Sequence, residues 1–162
     1  MPQTTIDPII IGTKIVDAYQ SIVSRYIDPQ EPVVLSVTQF HGGDAYNVIP
    51  NEIEIKGTVR CFSTKVQASI EKQMENLTSS ICSAYGATYE FEYQHRYPPT
   101  INSAEEVETS LKVMHEISDE SMINTSPSPS MGSEDFAFML QEKPGSYIWI
   151  GNGDKELSLI HI

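Results

Sequence analysis

The chain is poor in cysteine, in basic residues and in long apolar runs, and each shortage excludes something. Two cysteines among 162 residues, Cys61 and Cys82, cannot staple a disulfide scaffold and form no C-x-x-C pair. They read as reduced core thiols of a cytoplasmic protein. Ten basic residues stand against 22 acidic ones, for a net charge of -12. A surface of that sign repels phosphate backbones and anionic membranes, so neither nucleic acid nor membrane is an expected partner. No apolar run approaches the roughly 18 residues of a transmembrane helix. The first five residues lack a basic region followed by an apolar block, so no signal peptide is expected. H-E-x-x-H, G-x-S-x-G, phosphate-loop and catalytic-cysteine patterns are all absent. The four histidines, His41, His95, His115 and His161, include no pair at helical ligand spacing, so a self-contained zinc site is not visible.

What is present is a patterned chain, 40% hydrophobic, with enough apolar side chains for a core. Asp7-Pro8 predicts a helix start, and Ile11, Ile15, Tyr19, Ile22 and Tyr26 follow at helical spacing. Residues 33–40 are β-branched and predict a strand. Residues 53–62 alternate, with Ile53, Ile55, Val59 and Cys61 on one face. Thr64 and Gln67 have the spacing of a capping box before a second helix, which Gly86 would terminate. Residues 88–97 alternate again, which gives His95 a place in strand or core packing. The order is helix, strand, strand, helix, strand. One strand ahead of residue 1 would complete β-α-β-β-α-β, a ferredoxin-like unit.

Pro98-Pro99 marks a boundary. Ser103 and Glu106 predict a second capping box and a helix of about 17 residues, with His115 on its exposed face. Residues 124–133 are too polar to pack. A short helix over 134–141 and a strand over 147–150 complete the pattern. Leu157 to Ile162 fit no pattern; they resemble the translation of a sequencing adapter, so a non-native tail is expected over 157–162. The expected division is 1–98, 99–156 and that tail. Both ends look incomplete, and the unpaired sheet edge would favour association.

Few residues carry chemistry. His41 closes a strand and opens a Gly-Gly loop, where the backbone can approach a ligand closely or take positive φ. Asn47 follows in the same loop, held by Val48-Ile49-Pro50. Its amide can read a carboxylate or polarise a carbonyl, although a plain hairpin loop with a turn asparagine has the same sequence. Arg60 suits bidentate carboxylate recognition, or is a solvated strand arginine. Gly132 and Ser133 lie where a helix would open, a place that favours anions, or they are part of an ordinary N-cap.

His41-Gly42-Gly43-Asp44-Ala45-Tyr46-Asn47-Val48-Ile49-Pro50 and Gly57-Thr58-Val59-Arg60 together resemble a known family. Tyr85-Gly86-Ala87, Tyr97-Pro98-Pro99, Gly132-Ser133-Glu134-Asp135-Phe136-Ala137 and Pro144-Gly145 continue the resemblance in order. It is to the metal-dependent amidohydrolases and peptidases that include hippurate hydrolase, aminoacylase and the auxin-conjugate hydrolases.

The resemblance implies an α/β architecture. A ferredoxin-like lid and dimerisation domain lacking its first strand would occupy 1–98, and part of a catalytic domain 99–156. It implies hydrolysis of N-acyl amino acids by a parent enzyme that holds divalent zinc or manganese and dimerises through the lid. The metal ligands would lie outside this chain, which would bind no metal and be inactive alone. Asn47 would contact the oxyanion or the substrate carboxylate, and His41, Arg60, Gly132 and Ser133 would line the substrate pocket. A free-standing ferredoxin-like module for dimerisation or small-ligand binding is the alternative.

Overall fold

The computed structural model describes residues 1–151. Helix and sheet are mixed in it, and the chain divides into two compact units, Met1–Pro99 and a second that begins at Thr100.

In the first unit, α1 (Pro8–Ser21) starts where the sequence predicts. Asp7 Oδ1 accepts from the amides of Ile9 at 2.9 Å and Ile10 at 3.4 Å. Pro8 has no N–H to leave unpaired in that first turn. The helix runs on into a π-helical turn, Ile22–Tyr26, and Ile27 leaves it with extended backbone. Strands β1 (Val33–His41) and β2 (Glu54–Cys61) pair antiparallel. Their register is regular from Val33↔Cys61 to Val37↔Gly57, and a bulge then lets Gln39 face Lys56 and Phe40 face Ile55. A bulge inserts one residue and so reverses the alternation beyond it. Val33, Leu35 and Val37 share the inner face before it, and Phe40 after it.

Helix α2 (Thr64–Tyr85) is capped by Ser63, whose Oγ accepts from Val66 N at 3.4 Å. The cap is therefore one residue earlier than expected, and the Thr64–Gln67 box does not form. Gly86, at φ 71°, ends the helix in the left-handed region that glycine enters without penalty. Ile11, Ile15, Tyr19 and Ile22 from one stripe of the first helical segment form the core with Ile70 and Cys82 of α2. Leu35, Val37, Ile55 and Val59 of the sheet pack against this cluster.

Residues 88–97 form no strand. A strand is defined by its ladder, and among the described residues none pairs with this segment. The period of two survives in its side chains: Arg96 Nη2 donates to Gln94 Oε1 at 2.8 Å, and Gln94 Nε2 to Glu92 Oε1 at 2.7 Å. The other set faces α2. His95 Nε2 lies 2.9 Å from Glu71 Oε2, and its Nδ1 lies 3.3 Å from Gln67 Oε1. His95 thus has an exposed polar dock on a helix, not the sheet or core packing its alternation predicts. The described sheet has two strands, and the complete ferredoxin-like arrangement is not seen in it.

The second unit holds α3 (Ala104–Ile117) and α4 (Phe136–Glu142). The expected Ser103–Glu106 box does not form: Ser103 Oγ instead accepts from Gly145 N at 3.2 Å. Helix α4 starts two residues later than predicted, because Glu134 Oε1 takes the Phe136 amide at 3.2 Å and holds the chain in a turn before it. Residues 147–150 form no strand. The exposed loop over 124–133 and the exposed His115 agree with the sequence. The predicted tail, with His161, lies outside the described residues.

Candidate functional site

The β1–β2 connection is built around two glycines with different jobs. A Cβ on Gly42 would sit 2.5 Å from Ile53 Cγ2, so the absent side chain makes room for Ile53. Gly43 takes φ 83°, which other residues rarely adopt. Ile53 and Phe40 in turn pack at Gly12 of α1, which ties the loop base to the core. Gly43 thus takes the positive φ expected of this loop, and Gly42 makes room for Ile53.

Beyond them the Val48 amide closes a turn onto Ala45 O at 3.2 Å. Tyr46 and Asn47 are its corner residues. Both are exposed, and the Asn47 amide has no hydrogen-bond partner among the described residues. A side chain at the corner of a turn, anchored by a hairpin on one side and Pro50 on the other, has its donor and acceptor presented outward.

The bulge decides where His41 goes. With Phe40 turned inward, His41 faces outward opposite Glu54, whose carboxylate pairs with Lys56 Nζ at 2.7 Å. Arg60 lies on the same outer face, opposite Val34. It is six residues along β2 from Glu54, about 20 Å at the usual strand rise. His41 and Asn47 therefore belong to one end of the hairpin and Arg60 to the other. They do not converge on one small molecule within this unit.

Gly132 and Ser133 belong to the second unit, in exposed chain before α4. The Gly132 amide donates to Ser130 Oγ at 3.2 Å. Glu134 Oε2 accepts from the Tyr147 hydroxyl at 2.8 Å. That bond, with others from Asp135 and the Phe136 amide, holds the Glu134 carboxyl below the usual range. Asp135 shifts the other way, because it donates its proton to the neighbouring Glu134 and is repelled by it. The same Glu134 contact raises the Tyr147 phenol.

Tyr147 is fixed from a second side. Asn102 Nδ2 donates to Tyr147 O at 2.8 Å, and Asn102 Oδ1 accepts from Tyr147 N at 2.8 Å. Sequence reading missed Asn102, Glu134 and Tyr147 as a network. Its members are up to 45 residues apart, and no local spacing signals such a pairing.

Among the described residues, no group of three or more His, Cys, Asp or Glu side chains is placed to hold a metal ion. None of the described helices is long and apolar enough to cross a membrane.

Comparison with known proteins gives a consistent placement. The model of peptidase family M20/M25/M40 matches residues 3–162. Thermostable carboxypeptidase 1 of Saccharolobus solfataricus is 36% identical over 161 residues, which are 99% of this chain and 40% of that protein. An N-acyl-L-amino acid amidohydrolase of Geobacillus stearothermophilus is 51% identical over 102 residues, 63% of this chain and 28% of that protein. Among solved structures, the Bacillus subtilis YXEP protein, described as a dinuclear metal binding peptidase of the M20 family, matches with a TM-score of 0.70 and 26% identity. That match covers 86% of this chain and 35% of the other. The chain spans about 40% of the length of the carboxypeptidase relatives it matches. On the family match and these identities, the chain belongs to peptidase family M20/M25/M40.

Proposed function

We propose that the chain is the central and C-terminal part of a metal-dependent amidohydrolase that cleaves the amide bond of N-acyl amino acids. In this reading the first unit is the lid, ferredoxin-like once a further strand pairs with residues 88–97. The second unit belongs to the catalytic domain. The compact boundary at Pro99 and the unladdered 88–97 segment support that division. The name of the Geobacillus relative supports the substrate class.

The observation that carries the reading is the turn at Ala45–Val48, which presents an unengaged Asn47 amide from a rigid base. Its N–H would donate to the oxygen that gains charge as the amide carbonyl is attacked. A preorganised donor of this kind stabilises the transition state more than the ground state. His41 stands at the same end of the hairpin as a further polar contact. Arg60, about 20 Å along the strand from His41, and the Gly132–Ser133 loop would meet substrate at other points of the assembled parent. A second copy joined through the lid is the proposed partner, and the two free thiols suit a cytoplasmic setting.

The parent's zinc or manganese would activate water when bound. The described residues do not supply its ligand set, so no step assigned to this chain runs through the metal.

The test is hydrolysis of a broad panel of N-acyl amino acids by the full-length protein loaded with zinc or manganese. Cleavage is expected, and Asn47→Ala should lower kcat by about 10²–10³-fold. A full-length protein that cleaves none of the panel would overturn the reading in favour of a binding module.

A further inference from the structure

His95 has an oxygen against each of its ring nitrogens. Nε2 lies 2.9 Å from Glu71 Oε2, and Nδ1 lies 3.3 Å from Gln67 Oε1. A carboxylate oxygen and an amide oxygen both accept and cannot donate. The Gln67 N–H group is engaged elsewhere. Burial pushes the Tyr93 phenol up, and a hydrogen bond donated by Gln67 pulls against that rise. The Tyr93 ring in turn packs on the imidazole, with centroids 4.9 Å apart and planes tilted by 55°. A neutral imidazole carries one N–H, so it makes one of the two bonds and turns a lone pair toward the other oxygen. The doubly protonated ring makes both.

We infer that His95 is a proton-operated clasp: charged, it fixes the 88–97 segment on α2, and neutral, it loosens that segment. The segment forms no ladder among the described residues, so side chains such as His95 hold it to the unit. His95 stands three residues before Pro98-Pro99, where the first unit ends, so the clasp acts on the stretch by which the chain leaves that unit. The groups facing the ring are Glu71 and Gln67 from α2 and Tyr93 from its own segment, with Cys61 of β2 in electrostatic reach of Tyr93. Burial raises both Tyr93 and Cys61, so they keep their protons across the range in which an imidazole titrates. Glu92 and Arg96 are bonded to Gln94 on the other side of the segment. The side chains of His95 and Glu71 are 54% and 33% exposed, so solvent protons reach the ring and the effect is a few-fold one. The clasp requires nothing of the hydrolytic reading.

The experiment follows amide hydrogen exchange of residues 88–97 in the full-length protein at about pH 5.5 and about pH 8, on either side of the imidazole range. Rates are corrected for the intrinsic pH dependence of exchange, and the amides around Ile70 in α2 serve as the control for global opening. In wild type, opening of the segment should increase about 2- to 5-fold at the higher pH while the control stays level. His95→Gln, neutral at both values, should lose that increase, and Glu71→Gln should diminish it. Ring nitrogen resonances of the unaltered protein give a second readout that needs no variant to fold: both nitrogens should carry hydrogen at the lower pH and one at the higher. Equal protection of the wild-type segment at both values overturns the clasp. So does an increase that persists in His95→Gln or survives Glu71→Gln undiminished, or a ring that is singly protonated while the segment is most protected.

Discussion

The two units are held together by different physics. The first encloses a cluster of buried apolar side chains in which Ile22 and Ile70 are fully sequestered. In the second, Ala137 is the buried hydrophobic residue among those described, while Ile117, Trp149 and Ile150 are mostly exposed. Its order comes from side chains bonded to distant backbone. Asn102 holds both the N–H and the C=O of Tyr147, Ser103 exchanges two bonds with Gly145, and Glu134 bridges the Phe136 amide and the Tyr147 hydroxyl. Burial stabilises roughly in proportion to area and loses little to water. An exposed hydrogen bond competes with water at every moment and nets about 1 kcal/mol or less. The first unit should therefore be the stable one and the second the labile one, even though the second is the better hydrogen-bonded around its loops.

The largest effect should come from the core of the first unit. Ile22→Ala or Ile70→Ala should cost about 2–5 kcal/mol, since each deletes a fully buried branched side chain and leaves a cavity. Urea unfolding followed by far-ultraviolet circular dichroism measures it. A cost under about 1 kcal/mol would mean the cluster is loosely packed. The counterpart in the second unit is Asn102→Ala, expected to cost about 1–2 kcal/mol by releasing both Tyr147 backbone groups. Trp149 is the single tryptophan and lies two residues on from Tyr147, so its emission reports this unit. Its unfolding midpoint should fall, and the Tyr147 amide should exchange faster. An unchanged exchange rate would show that the clamp does not hold the segment.

The same contrast explains what could be read from the sequence. The elements of the first unit depend on periodicity and caps, which are local. Asp7-Pro8, the alternation of Ile55, Val59 and Cys61, and Gly86 each state their role within a few residues. The β1 bulge is not local, because it depends on register against β2, yet it decides that His41 faces outward. His95 was misplaced for a related reason. Alternation marks a chain with two faces, but it does not say whether a neighbouring strand or a helix covers one of them. In the second unit Ser103 and Glu106 have capping-box spacing, but Gly145, 42 residues away, takes the Ser103 hydroxyl. The residues with chemical promise, Asn47 above all, were legible through family resemblance more than through physics. A turn asparagine looks the same whether or not it meets a substrate.

A smaller effect should appear at the polar contact inside the first core. Thr78 Oγ1 donates its hydrogen to Met74 O at 2.8 Å, so in the 2.6 Å pair with Tyr19 the phenol must be the donor. Tyr19→Phe should cost about 1 kcal/mol by leaving Thr78 one donor short. Burial raises the Tyr19 phenol above the ordinary 10.0. Its contribution is therefore complete below about pH 10 and is lost as pH rises through the folded value. The variant should flatten the stability curve above pH 10, although Cys82, also raised by burial, keeps part of the slope. A wild-type curve that is already flat there would show that the phenol is not held protonated by the fold.

The smallest effect belongs to Glu134 and Asp135, because their contributions oppose one another. Glu134 is lowered, so its stabilisation is present above the ordinary carboxylate range and is lost as pH falls through its folded value. Asp135 is raised, so its contribution is present below its ordinary 3.8 and is lost as pH rises through its folded value. The two windows overlap between the ordinary values of 3.8 and 4.5, so the sum is a small maximum there, and stability is the wrong readout. Site-resolved titration is the right one. Glu134→Gln removes the anionic acceptor that keeps the proton on Asp135, so the Asp135 carboxyl should titrate at lower pH, followed by its carboxyl carbon resonance. The Tyr147 phenol should fall too, since the same carboxylate raises it. Tyr147→Phe should instead raise Glu134 by removing its strongest donor, and it separates the two halves of the network. If Asp135 stays in place when Glu134 is neutralised, the two carboxyls titrate independently. Glu134 would then act on the second unit through Tyr147 and the Phe136 amide, without Asp135.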